Sequence, residues 1–542
     1  MSTGGPNSTT SPTITLDGSP LTPAQVAGVA RGRASVTLAA SAVGAMRASQ
    51  AAVLACLDDG QPHYGINTGF GSLSKKRIAP DLLRDVQRNL VRSHAAGVGE
   101  SLSEETVRAM MLCLAASLAR GLSGVRPALV ETIVAMLNRG VTPVVPSIGS
   151  VGASGDLAPL AHVGLVLIGE GRATVRGAGS AAHELDGAAA MARAGLSPQT
   201  LEPKEGLALL NGTHLMAAQA ALLCADWPNL LDAALSACAM SIDGCRATDT
   251  YLDDRVHVAR GHPGTREAAA RLRALLAGSR IVTSHIENDP RVQDPYSLRC
   301  SPYVLGAAMD AMGQVERATA CELGAVTDNP LIVKSDGATK RRSDGGKAGP
   351  AGAGGDGASG FDVVSAGNFH GMPIALPLDG AAIAIAHVAG ISERRVYFML
   401  AATDPEMHLQ AFLTPDPGLR SGLMIAQYAA AALVNETIGL AAPATVANIP
   451  TCAGIEDYNS FGPRAAAKAR RALDLTSKVV AIELVCAAAA IDAHRPLRSG
   501  AGVERAHEIV RSVVVPIGED RPPGADIEAV ASLIRDGAFG PR

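Results

Sequence analysis

Aromatic side chains are scarce in this sequence. Seven Phe, seven Tyr and one Trp make up 3% of 542 residues, although 47% of the chain is hydrophobic. A large core must therefore be built mainly from Ala, Leu, Val and Ile. Neither sign of charge is in excess: 47 Lys and Arg against 51 Asp and Glu give a net charge of −4. Basic stretches such as Arg266–Arg273 read as solvated helix faces, so no nucleic-acid partner is expected. The nine cysteines include no CxxC pair and no neighbouring His at metal-ligand spacing. They read as reduced, buried thiols of a cytoplasmic protein, and no metal site is expected. The apolar runs are interrupted. Val479–Ile491 is interrupted by Glu483 and is too short to span a bilayer, so no membrane association is expected. Residues 1–12 are rich in Ser, Thr and Gly and read as disordered, neither signal peptide nor anchor. No His-Glu-x-x-His occurs, and Ser154 lacks a Gly-x-Ser-x-Gly elbow, which argues against a zinc or serine hydrolase.

The remaining composition predicts a mainly α chain. Ala- and Leu-rich segments with helical spacing dominate from about Ser101, punctuated by Gly and Pro. Ser101-Leu102-Ser103-Glu104 suits a capping box opening a helix that ends near Gly121, with a second helix over Val125–Asn138. Longer helices are expected over Leu207–Ala239, Pro302–Gly324, Met372–Ala402, Gly422–Leu440 and Pro463–Ala493. Strands are few, as at Thr13–Leu16 and Ala173–Arg176. The expected organisation is an N-terminal domain at 13–220, a long-helix bundle at 221–500 and a C-terminal segment at 501–542. A Gly-rich insertion at 335–360 reads as mobile.

Ala153-Ser154-Gly155 is the most informative tripeptide. The Gly155 amide nitrogen can attack the Ala153 carbonyl, loss of water closes a five-membered imidazolone, and dehydration of Ser154 leaves an exocyclic methylidene. The product, 4-methylidene-imidazole-5-one, is an electrophile that ordinary side chains do not provide and that needs no external cofactor. Small residues also make turns, and Asp156 before an apolar run reads as an ordinary helix N-cap. The extended run Ser150–His162 resembles the signature of the aromatic amino-acid ammonia-lyases and the related 2,3-aminomutases, and the resemblance covers nearly all of residues 14–500.

Further blocks carry the same resemblance. In Tyr64-Gly65-Ile66-Asn67-Thr68-Gly69 it implies that Tyr64 is the base for a substrate β-proton; a free phenol, with pKa ~10, needs help to act near neutrality. Ser93-His94 implies contact with the substrate side chain and resembles the histidine-acting members. Glu456, in Ile449–Asp457, implies a carboxylate near an imidazole. The resemblance assigns Asn211, Gln293 and Tyr296 to the same pocket and Phe369 to a place beside the electrophile. Arg299 suits the substrate carboxylate, which a guanidinium meets through two parallel hydrogen bonds. Three positions depart from the usual histidine pattern: Ile455 and Tyr303 each replace Gln, and Met372 replaces Glu. A more apolar pocket edge is expected.

The resemblance implies elimination of ammonia from L-histidine to give trans-urocanate. The alternatives are a tyrosine or phenylalanine ammonia-lyase, a tyrosine 2,3-aminomutase with the same machinery, and, in another class, a non-catalytic helical scaffold. It also implies a fumarase/aspartase-like bundle whose smaller N-terminal domain carries the imidazolone, and a homotetramer with active sites shared between subunits.

Overall fold

The computed structural model describes residues 12–176, 183–287, 289–335 and 360–541. The readings of 1–12 and 335–360 therefore fall, apart from Pro12, Ser335 and Gly360, outside the described residues.

The chain forms two compact units. The first comprises Met1–Leu222, Arg317–Leu376 and Ala444–Ala466; the second comprises Leu223–Glu316, Pro377–Pro443 and Ala467–Arg542. The first unit is thus assembled from three separate stretches of chain, and residues 501–542 belong to the second.

In the first unit, helix Glu104–Ala119 is buried from Thr106 onward. Its cap is Ser103, whose hydroxyl accepts from Thr106 N, with Glu104 and Glu105 in the first turn where the helix dipole favours acids. The cap therefore sits two residues beyond Ser101, because Ser101 is taken up in strand Val98–Ser101. Arg108, 5% exposed, donates to the carbonyls of Val29, Ala30 and Leu137. One buried guanidinium thereby satisfies the C-terminal ends of helices Pro23–Ala30 and Pro127–Asn138. Strands are short: Thr13–Leu16 pairs in parallel with Ser35–Leu38, and Val141–Pro143, Arg172–Val175 and His183–Asp186 form an antiparallel trio.

Helices Ser301–Leu323, Met372–Ala401, Met424–Ala441 and Gly462–Ala493 match their expected spans to within two residues. The segment expected as Leu207–Ala239 is instead two helices, Glu205–Leu210 and His214–Gly244, broken at Asn211-Gly212-Thr213. In the second unit, Glu483, which interrupts the apolar run of its helix, pairs with Arg395 at 2.5 Å with both side chains fully buried. Ser241 and Ser392 donate to the same carboxylate at 2.7 and 2.6 Å, so its oxygens are satisfied.

Candidate active site

Ser154 lies in the turn between strand Pro146–Ile148 and helix Leu157–Leu167. Two glycines make that turn possible. Gly152 and Gly155 have φ of +72° and +76°, and a Cβ on them would lie 2.1 Å from Ser460 Oγ and 2.0 Å from Gly212 O. The turn is held on both sides of the tripeptide. Val151 O accepts from Phe461 N at 2.9 Å and Gly152 O from Ser460 Oγ at 3.3 Å. Ser154 O accepts from Gly212 N at 3.1 Å, and Asp156 N donates to Gly212 O at 2.7 Å. The break at Asn211-Gly212-Thr213 exposes the backbone groups that make these last two bonds.

The two atoms that ring closure would join are left unclaimed. Neither the Gly155 N–H nor the Ala153 carbonyl makes a hydrogen bond among the described residues. The surrounding backbone is anchored while the reacting pair is free, an arrangement that fits imidazolone formation.

Asp156 departs from its sequence reading. It precedes helix Leu157–Leu167, but its side chain makes no cap bond to that helix. Instead Oδ2 accepts from Leu215 N and Met216 N at 2.7 and 3.1 Å, capping helix His214–Gly244 and tying the turn to it. The carboxyl is fully buried and is pushed up to about 7 by that burial, against the pull of those two N–H groups.

Ala153 and Ser154 open onto a cavity of about 1050 Å³ in the first unit. Tyr64, Ser93, His94, Asn211, Phe369 and Glu456 line it as well, so residues spread over some 400 positions of sequence meet at one place. Ser154 Oγ donates to Glu456 Oε1 at 3.5 Å, and Glu456 Oε2 accepts from Thr451 Oγ1 at 2.8 Å. Tyr64 OH accepts from Gly71 N at 3.3 Å. Burial raises the phenol above its ordinary pKa; the Gly71 N–H opposes this, and the Glu456 charge adds to the rise. His94 ends helix Leu83–His94, and its Nδ1 lies 2.9 Å from Leu90 O. A carbonyl only accepts, so Nδ1 carries the hydrogen and Nε2 is left for a ligand.

Asn211, 2% exposed, donates through Nδ2 to Asp328 Oδ1 at 3.2 Å and to Asn329 O at 3.0 Å. Its Oδ1 is buried without a hydrogen-bond partner. Asp328 is in turn paired with Lys204 at 2.6 Å, both fully buried, and accepts from Asn329 N. Lys204 and Asp328 orient Asn211, yet neither stood out in the sequence. The pair is 124 residues apart, and Asp328-Asn329-Pro330 has the composition of an ordinary turn.

The structure does not bring all candidates together. Gln293, Tyr296 and Arg299 belong to the second unit and do not line this cavity. Tyr296 is 70% exposed; the Arg299 guanidinium lies 4.5 Å over its ring, and Arg299 Nε donates to Asp294 O at 2.8 Å. Of the three departures, Ile455 lines the cavity whereas Met372 and Tyr303 do not. Cys452, Tyr458 and His370 also line it and were not singled out in the sequence.

Comparison with known proteins agrees with this arrangement. The profile described as "Aromatic amino acid lyase" matches residues 21–512. The chain is 47% identical over 533 residues to the histidine ammonia-lyase of Anaeromyxobacter dehalogenans, covering 97% of this chain and 99% of that one. Among solved structures, histidine ammonia-lyase from Trypanosoma cruzi superposes with a TM-score of 0.85 at 36% identity, covering 97% of this chain and 94% of that one. Tyrosine aminomutase from Streptomyces globisporus superposes with a TM-score of 0.85 at 32% identity, covering 97% of each. An enzyme family over this span leaves no place for the scaffold reading. The chain belongs to the aromatic amino acid lyase family.

Proposed function

We propose that the chain is an ammonia-lyase that converts L-histidine to trans-urocanate and ammonia, with the electrophile made from Ala153, Ser154 and Gly155. The observation that carries this reading is the convergence of Ser154, Glu456, Tyr64, His94 and Asn211 on one cavity. The ring, once formed, provides an electron-poor carbon that activates the amino acid for loss of ammonia. Tyr64 takes the β-proton through its phenol oxygen. Asn211, its Nδ2 committed to Asp328 and Asn329, offers Oδ1 to the substrate ammonium. Glu456 accepts from an imidazole N–H, His94 and Ser93 lie against the other side of that ring, and Phe369 walls the site.

The substrate carboxylate needs a cation. Arg299 is assigned that task, with Gln293 and Tyr296 beside it, contributed by another subunit of a homotetramer. Exposed apolar side chains in the second unit support assembly: Ile383 and Tyr397, from helix Met372–Ala401, and Ile425, Tyr428 and Ile438, from helix Met424–Ala441. Such faces need cover. The assembly is assigned to the cytoplasm, in keeping with nine thiols in each chain.

Ile455 at the cavity favours a second reading, in which the same residues act on L-tyrosine or L-phenylalanine and release coumarate or cinnamate, or a β-amino acid. Incubation with L-histidine, L-tyrosine and L-phenylalanine, with identification of the products, decides between them. Urocanate from histidine alone upholds the first reading, and histidine left untouched overturns it.

A further inference from the structure

Cys56, Asp59 and His63 take no part in the site above. Helix Ala40–Asp58 carries Cys56 in its last turn, Asp59 is its C-cap, and His63 ends the short return that leads into Tyr64. One donor atom from each residue, a thiol sulfur, a carboxylate oxygen and a ring nitrogen, lies within 4.8 Å of the other two. Asp59 Oδ2 and His63 Nε2 are 2.7 Å apart, and Asp59 Oδ1 is steadied by Gln61 N at 2.7 Å. His63 Nδ1 is buried without a hydrogen-bond partner. Cys56 is in no disulfide and packs beside the cluster of Ala52, Val53, Ile66 and Ile332, which fixes its position relative to the Tyr64 segment.

We propose that Cys56, Asp59 and His63 form a binding site for a divalent cation of the zinc class. A thiolate, an imidazole and a carboxylate make a borderline-soft donor set that suits Zn²⁺, whereas Mg²⁺ and Ca²⁺ prefer oxygen alone. Tetrahedral zinc with bonds of about 2.0 to 2.3 Å separates its donors by roughly 3.3 to 3.6 Å. The triad, whose donors lie no farther than 4.8 Å apart, reaches this by closing its longest separation by at most about 1 Å and letting the short His63–Asp59 contact open, both within the range of side-chain rotation. Asp59 is 41% exposed, so the fourth position faces water. Binding releases the Cys56 thiol proton to solvent, since the thiolate is the ligand. The ion then ties the end of helix Ala40–Asp58 to the residue preceding Tyr64, and so anchors the segment that walls the cavity.

The test uses the metal-free full-length protein titrated with Co²⁺ and then Zn²⁺, read as difference spectra. The expected result is one Co²⁺ per chain, with a thiolate-to-cobalt charge-transfer band and tetrahedral visible bands that Zn²⁺ displaces. Zn²⁺ should also raise the unfolding midpoint, since it binds the folded chain. Cys56→Ala removes only a half-buried sulfur; it should keep the circular-dichroism spectrum of the wild type and lose both the cobalt band and the zinc-dependent rise. His63→Gln should do the same. No band in the wild type overturns the proposal. A band that persists in Cys56→Ala also overturns it, because another thiol, such as Cys300, Cys321 or Cys452, would then be the ligand.

Discussion

Replacing Glu456 by Gln tests the substrate assignment most directly, because it removes a charge and almost no volume. Glu456 Oε2 accepts from Thr451 Oγ1 at 2.8 Å, and the Gln carbonyl oxygen can take over that bond, so the Thr451–Glu456 turn should survive. What is lost is the second oxygen, now an NH₂ that cannot accept from an imidazole N–H. A hydrogen bond to a charged group contributes about 1.5 to 3 kcal/mol, which at 1.4 kcal/mol per tenfold corresponds to a loss of roughly ten- to 150-fold in kcat/KM for L-histidine. The contact is made to the ring, away from the bonds that break, so the loss should fall mainly on KM. Phenylalanine carries no ring donor, and its kcat/KM, however small, should not fall; a phenyl ring leaves the wild-type carboxylate unpaired, and the variant relieves that. Steady-state kinetics of wild type and variant on both amino acids, with matched unfolding midpoints, make the comparison. A histidine kcat/KM within about threefold of the wild type would refute the reasoning because Glu456 would then contribute nothing to histidine turnover, and an equal fall on both substrates would refute it because Glu456 would then act on the electrophile or the fold and not on the imidazole.

Tryptic peptides of the wild type spanning Ser147–His162 should lack the mass of two water molecules, one from ring closure and one from Ser154; Ser154→Ala should lose turnover and keep its circular-dichroism spectrum, whereas an unmodified peptide from active protein would rule out the ring. Tyr64→Phe deletes the oxygen that accepts from Gly71 N and should lower kcat by about 10² to 10⁴ with little change in unfolding midpoint; wild-type turnover would make Tyr64 a packing residue. Arg299→Lys keeps the charge and loses the planar fork, so KM should rise without unfolding; unchanged kinetics would remove Arg299 from the site. Asp156 sets part of the pH dependence of stability. Its carboxyl is held at about 7 against an ordinary 3.8, so the folded chain binds this proton more tightly than the unfolded chain. The associated stability is complete below about pH 4 and is lost as pH rises toward 7, with a slope of at most about 1.4 kcal/mol per pH unit. Chemical unfolding at pH 5, 6 and 7 should show that decline in the wild type and a flatter profile in Asp156→Asn; identical slopes would assign the dependence to other groups.

What could be read ahead of the structure divides according to the range of the interaction. Helix spans such as Gly462–Ala493 were legible because the apolar period depends only on which face is buried, and not on the partner that buries it. Ala153-Ser154-Gly155 was legible because its chemistry is covalent and local: the ring can be built from those three residues and from no other spacing. The break at Asn211-Gly212-Thr213 was not. Apolar residues continue at helical spacing on both sides of it; Asn211-Gly212 is a turn-type pair that a helical pattern can also tolerate, and what interrupts the helix is the demand of a turn some 57 residues earlier for Gly212 N and O. Asp156 shows the same limit from the other side. An acid ahead of an apolar run reads as that run's cap, yet the N–H groups it meets belong to Leu215 and Met216. Lys204 and Asp328 leave no local trace at all, because a buried ion pair is a relation between two ordinary residues. The same reasoning explains Gln293, Tyr296 and Arg299. Only Arg299 suggests carboxylate recognition by its residue type, Gln293 and Tyr296 being placed by the resemblance alone, and which cavity the three would serve, in their own chain or, on the reading proposed above, in a neighbouring copy, is a relation in space that a linear pattern does not carry. Motifs that make a bond within themselves can therefore be assigned from sequence, whereas the residues that aim them must be found in space.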